Sequence, residues 1–132
     1  MSNIPILSLN VRGLDNNEKR REIFQWLRKK KFSIYMLQEV RCTESSFETR
    51  AAQWGYKAFY SGFASNKAGV AILFNNNFTF KVLRQICDKE GGYIIIDLEV
   101  DELILTICNI YAPNKDDHIF FQNVREQMIM FR

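Results

Sequence analysis

The stretch "FSIYMLQEVR", residues 32–41, decides how the rest of the chain is read. Ile34, Tyr35, Met36 and Leu37 form an unbroken apolar run, the pattern of a strand buried on both faces. The run stops at Gln38 and Glu39. A carboxylate delivered where a buried strand leaves the core needs water, a cationic partner or a metal ion. Glu39 is therefore the first residue to question for function.

Upstream, "IPILSLNV" (4–11) reads as a strand closed by the turn "RGLD", with Gly13 as breaker. Asp15 followed three residues later by Glu18 has the form of a capping box. It opens a helix through about Lys30, with Ile23, Phe24 and Leu27 on the buried face. The 32–39 strand then pairs parallel with the first, giving a βαβ unit with a right-handed crossover. A short helix is expected over roughly 46–53. Strand character follows in "YKAFYSG" (56–62), "GVAILF" (69–74), "FKVLRQI" (80–86), "YIIIDLEV" (93–100) and "LILTICNIYAP" (103–113). Their connections are too short for crossovers, so these strands are expected to be antiparallel. "DDHIFFQNVREQMIMF" (116–131) has helical spacing, with Phe120, Val124 and Met128 four apart. The whole reads as one α/β unit without repeats.

Bulk properties narrow the classes. A chain of 132 residues with 47% hydrophobic and 25% charged residues supports one domain with a core and excludes a disordered polymer. No apolar run approaches the roughly 18 residues of a membrane helix, and the N-terminus has no basic leader or cleavage site. Cys42, Cys87 and Cys108 are odd in number, widely spaced and form no CxxC, which favours free thiols in a reducing compartment. The expectation is an intracellular protein, nuclear or cytoplasmic, neither secreted nor partnered by a membrane. Net charge is +3 but uneven: residues 1–60 carry eleven Lys or Arg against six Asp or Glu, and residues 61–132 seven against nine. The excess lies in "EKRREIFQWLRKKK" (18–31), which suits a polyanion, although a solvated helix face is the better account of any one of those lysines.

Polar residues recur where strands end. Asn10 closes the first strand, Glu39 the second, and Asn109, Tyr111 and Asn114 lie in "TICNIYAPN". Parallel pairing of the first two strands brings Asn10 and Glu39 to one edge, and open α/β sheets place ligand sites at such C-terminal strand ends. A hard carboxylate beside an amide suits Mg²⁺, which binds through few protein oxygens and keeps waters. Taken singly, Glu39 also suits a surface salt bridge, and Asn10 a turn or cap.

In order and approximate spacing, "LSLNVRGL", "KRREIFQWL", "IYMLQEVR", "NKAGVAILF" and "LTICNIYAPN" resemble the endonuclease/exonuclease/phosphatase superfamily. Within it they are most like the apurinic-type endonuclease domain at the N-terminus of LINE-type (non-LTR) retrotransposon polyproteins. The likeness covers nearly the whole chain. It implies the N-terminal part of a four-layer α/β sandwich, a mixed sheet with flanking helices, in one partial domain over 1–132 with its C-terminal half missing. It implies Glu39 as the residue holding a catalytic divalent ion (Mg²⁺, with Mn²⁺ as a substitute). Asn10 orients that carboxylate and the scissile phosphate in such a site, and Tyr111 contacts the phosphate. Asn114 matches a polar position facing DNA, while Arg12, Arg41 and Lys67 flank the motifs within reach of backbone phosphates. Arg12 departs from the family, where Asp or Asn is common. The implied activity is Mg-dependent phosphodiester hydrolysis that nicks target DNA and leaves a 3′-hydroxyl. In a full-length relative, a downstream reverse transcriptase domain extends from that end.

A larger departure lies further on. The family continues with a Gly-Asp-x-Asn strand and closes with an Asp-His pair, and no Gly-Asp-x-Asn run occurs in these 132 residues. Asp117 and His118 follow directly on "NIYAPN" and read instead as the acidic first turn of a helix. The expectation is a truncated domain, weakly active or inactive as given. It would self-associate through the apolar sheet face that a missing second sheet leaves open. Two alternatives stand beside it: a non-catalytic nucleic-acid-binding remnant using residues 19–31, and a phosphatase of the same superfamily.

Overall fold

Ile6 lies beside Ile34, Leu9 beside Leu37 and Asn10 beside Gln38, the parallel register of β1 (Ile6–Asn10) and β2 (Ile34–Gln38) that places both strand ends at one rim. The computed structural model describes residues 3–62, 68–111 and 122–127. Between the two strands runs α1 (Asn17–Lys30), which buries Phe24 and Leu27 against the sheet. Its N-cap is Asn16, not Asp15: the Asn16 side chain accepts from the Lys19 N–H at 2.9 Å. Asp15 pairs with Arg50 instead, a tertiary contact that no local spacing announces. Lys31 ends the helix in the left-handed region, φ 56°.

The basic stretch of α1 also divides in a way its composition hides. Arg20 is buried and donates to the Leu14 carbonyl at 2.7 Å and to Gln53 Oε1 at 2.6 Å. Arg28 donates to the Gln53 and Trp54 carbonyls and lies 5.0 Å above the Trp54 ring. Both guanidiniums hold the fold and Lys19 Nζ donates to the Arg12 carbonyl, so Arg21, Lys29, Lys30 and Lys31 are left for a partner.

The short helix α2 (Glu44–Ala51) starts two residues earlier than its spacing predicts, because the Thr43 hydroxyl caps it by accepting from the Ser46 N–H. β3 (Ala58–Ser61) and β4 (Val70–Phe74) complete the first sheet in the order β1-β2-β4-β3, with β4 antiparallel to both its neighbours. β5 (Lys81–Cys87), β6 (Tyr93–Val100) and β7 (Leu103–Ile110) form a second, fully antiparallel sheet in the order β5-β6-β7.

This second sheet corrects one expectation. The face of the first sheet expected to stand open is covered: Ile34, Val70, Ile72 and Phe74 pack on Ile94, Ile96, Leu98 and Ile107. On the other face Tyr35, Leu37, Ala71 and Leu73 meet Phe24, Leu27, Phe47 and Trp54. Alternate residues of β2 and β4 thus serve two cores, which is why their sequences read as continuous apolar runs. Beyond the second sheet, Val124 of a helical segment over 122–127 packs on Tyr93 and Ile95. Helices, sheet, sheet and helical segment make the four layers of the expected α/β sandwich. Of the 116–131 helix predicted from spacing, only 122–127 falls among the described residues. All three cysteines are free thiols.

Candidate active site

The rim where β1, β2 and β7 end is assembled by residues that leave ordinary strand geometry. Arg12, Glu39, Arg41 and Ala68 have φ between 51° and 58°, and Gly13 and Gly69 lie at 95° and 96°. Left-handed backbone at a non-glycine residue costs roughly 1–2 kcal/mol, so the surroundings must hold it. They do so with main-chain bonds: Gly13 N–H to Glu39 O, Leu14 N–H to Val40 O, Val40 N–H to Gly69 O and Arg41 N–H to Ala68 O, all between 2.6 and 3.0 Å.

On this frame the Asn10 amide donates to Oε1 of Glu39 at 3.0 Å, while the Asn10 oxygen accepts from the Arg12 N–H at 3.1 Å. The other Glu39 oxygen, Oε2, takes the Arg41 guanidinium. Tyr111, the first residue after β7, hydrogen-bonds to the same carboxylate through its phenol. The Asn10 amide first, then Tyr111 and then Arg41, hold the Glu39 carboxyl below the usual carboxylate range against the opposing effect of desolvation. The same contact raises the Tyr111 phenol, because an anion at its hydroxyl opposes loss of the proton. Glu39 is an anion, and Tyr111 a neutral donor, at physiological pH.

Beneath the rim lies a brace the sequence reading did not assign. Asn109 of β7 is only 1% exposed, and its amide donates to Leu37 O at 3.0 Å and Ala71 O at 2.8 Å. Its oxygen accepts from Gln38 at 2.8 Å, and Gln38 also donates to the Ser8 hydroxyl at 3.0 Å. One amide thereby ties the second sheet to β2 and β4 directly under Glu39. The signal was present as polar residues at two strand ends, in "MLQE" and "ICNI", but which sheets they would join was not.

Asn10, Glu39 and Tyr111 therefore meet at one place. Arg41 joins them, and Arg12 stands beside them with an exposed side chain and its carbonyl bonded to Lys19 Nζ at 3.0 Å. Lys67, Asn114, Asp117 and His118 lie outside the described residues. No group of three His, Cys, Asp or Glu side chains comes together among the described residues. A metal ion held here would find the one Glu39 carboxylate, with water and substrate oxygens left to fill its other positions. A hard oxygen donor of that kind suits Mg²⁺ and suits zinc poorly, since zinc prefers several nitrogen or sulfur ligands.

A two-sheet α/β sandwich clad in helices thus gathers an acid, an amide and a phenol at one strand-end rim. The chain belongs to the Endonuclease/Exonuclease/phosphatase family, whose model matches residues 7–122. It is 24% identical over 110 residues to the Transposon TX1 uncharacterized 149 kDa protein of Xenopus laevis, covering 83% of this chain and 8% of that one. Among solved structures it is similar to the AP endonuclease LMAP of Leishmania major, with a TM-score of 0.66, 17% identity, and coverage of 92% of this chain and 44% of that one. It is likewise similar to the endonuclease domain of TRAS1, a telomere-specific non-LTR retrotransposon, with a TM-score of 0.64, 15% identity, and coverage of 92% and 52%. At these identities the structural likeness is one of fold. The chain spans a small part of the curated relative and about half of the two solved chains.

Proposed function

We propose that this chain carries the metal-binding part of a Mg²⁺-dependent DNA endonuclease site, of the kind that nicks target DNA in retrotransposon-like proteins. The observation that carries the reading is the convergence of Asn10, Glu39 and Tyr111 from three strand ends onto one rim. Glu39 is the metal residue, held ionised and oriented by Asn10. Tyr111 is a neutral donor suited to a phosphate oxygen. Arg12 and Arg41 are cations at the same rim, placed for backbone phosphates, and the family resemblance adds Lys67 and Asn114, which lie outside the described residues, as candidate DNA contacts. What a bound ion supplies here is polarisation of the phosphoryl oxygen and stabilisation of charge on the leaving oxygen. The residues do the remainder by holding the phosphate in one pose and keeping donors aimed at it.

These 132 residues hold no Gly-Asp-x-Asn run, so the group that activates water in the family is not among them. By themselves they should bind metal and DNA while nicking plasmid near background. The test pairs Mn²⁺ titration with supercoiled-plasmid nicking. The expected result is metal binding that Glu39→Ala removes, together with scant cleavage. Metal binding indifferent to Glu39 overturns the reading, and robust cleavage overturns the deficit.

A further inference from the structure

Arg41, read above as a cation for backbone phosphates, has its guanidinium bound to the Glu39 carboxylate in this structure. It stands two residues beyond Glu39 on the same loop, and both residues are left-handed, with φ of 58° and 53°. Its guanidinium closes on Oε2 of Glu39, the oxygen that Asn10 leaves free. The Arg41 main chain is pinned by its N–H bond to Ala68 O at 2.8 Å, whereas the side chain is 47% exposed. Gly13 lies alongside: a Cβ there would come 3.7 Å from Arg41 Cδ, so this glycine borders the arm without a side chain of its own. A fixed main chain and a half-exposed, charged tip held by one ion pair describe an arm that a competitor for Glu39 could release.

We infer that Arg41 is a positioning residue that covers the metal-binding oxygen of Glu39 and is handed to a DNA phosphate when a divalent cation takes that oxygen. The inference rests on the reading of Glu39 as the metal residue. A guanidinium and a dication on one carboxylate oxygen repel each other at that range, so the ion weakens the hold of Glu39 on the arm. Displaced, the guanidinium remains at the rim, where its planar fork suits two phosphate oxygens. Without metal the arm is committed to Glu39 and adds little to DNA affinity. With metal it is released. Metal and DNA therefore bind cooperatively through one side chain, and the coupling is reciprocal.

The experiment uses the full 132-residue chain, with Mn²⁺ followed by electron paramagnetic resonance and a fluorescein-labelled 20-mer DNA duplex followed by anisotropy. Arg41→Gln should bind Mn²⁺ about two- to five-fold more tightly, the size expected from removing a half-exposed competing ion pair. The same variant should lose DNA affinity in Mn²⁺ and keep it in EDTA. Glu39→Gln should raise DNA affinity in EDTA, and that gain should vanish in the Glu39→Gln/Arg41→Gln double variant, which separates a freed Arg41 from mere loss of negative charge. Arg41→Lys keeps the charge without the fork and should fall between. Circular dichroism confirms that each variant folds. Unchanged or weaker Mn²⁺ binding in Arg41→Gln, or an equal loss of DNA affinity with and without metal, overturns the inference. Wild-type Mn²⁺ affinity in Glu39→Gln overturns instead the reading of Glu39 on which it rests.

Discussion

The side-chain amide of Asn10 donates to the carboxylate of Glu39 at 3.0 Å, joining two residues 29 positions apart in the chain. The contact follows from the parallel register of β1 and β2, which ends one strand opposite the other. It also sets the protonation of the acid.

Because the folded Glu39 carboxyl titrates below its ordinary range, its contribution to stability is complete above the pH at which the unfolded carboxyl titrates. That contribution is lost as pH falls through the depressed folded value. A carbon-13 NMR titration should place the Glu39 midpoint below that of an unstructured glutamate, and Asn10→Ala should raise it. A midpoint unmoved by Asn10→Ala contradicts the assignment of the leading cause.

Tyr111 offers the complementary measurement. Its phenol is raised by the Glu39 anion, so the protonated form is favoured in the folded state until pH climbs past the raised value. Ultraviolet titration of Glu39→Gln should show this tyrosine ionising at lower pH than in the parent chain. No change would show that the two groups do not touch in solution.

Asn109→Leu replaces the inter-sheet amide with an apolar side chain of similar size and takes a buried donor from Leu37 O and Ala71 O. The expected cost is about 1–3 kcal/mol in urea unfolding. Mn²⁺ affinity should fall with it, because Gln38 loses its partner directly below Glu39. A stable variant with weakened metal binding still fits the brace, whereas unchanged stability and unchanged metal binding together refute it.

Gly69 sits at φ 96° and its carbonyl receives the Val40 N–H. A Cβ at this position collides with the Tyr60 hydroxyl. Gly69→Ala should therefore destabilise the chain by about 1–3 kcal/mol and displace the loop that carries Glu39 and Arg41. Thermal unfolding and Mn²⁺ titration on the same sample check both effects.

The start of α1 gives a test independent of the site. Asn16→Ala should cost about 1 kcal/mol, as loss of a cap does. Asp15→Ala should cost about 0.5 kcal/mol or less, since the Asp15 side chain is 68% exposed in its pair with Arg50. The reverse order would restore Asp15 as the cap.

Much of the first half was legible. The apolar run of 34–37, the three- and four-residue spacing of Ile23, Phe24 and Leu27, and the polar stops at Asn10 and Glu39 are local patterns tied to local geometry. Asn16 and Arg20 were not legible in the same way. Asn16 caps the helix while the neighbouring Asp15 pairs with Arg50, and Arg20 is buried where Leu14, Asn17 and Gln53 converge around it. Both outcomes turn on residues brought close only by folding.

The sequence alone therefore determined the identity and order of most elements and the meeting of β1 with β2, because hydrophobic period and short connections act along the chain. Tertiary structure decided that β5, β6 and β7 form a separate sheet lying over the first, that Asn109 bridges the two, and that Tyr111 arrives at the acid of another sheet. Alternation tells which side chains share a face, but not which face of which sheet will cover them; that choice belongs to the packing of whole layers.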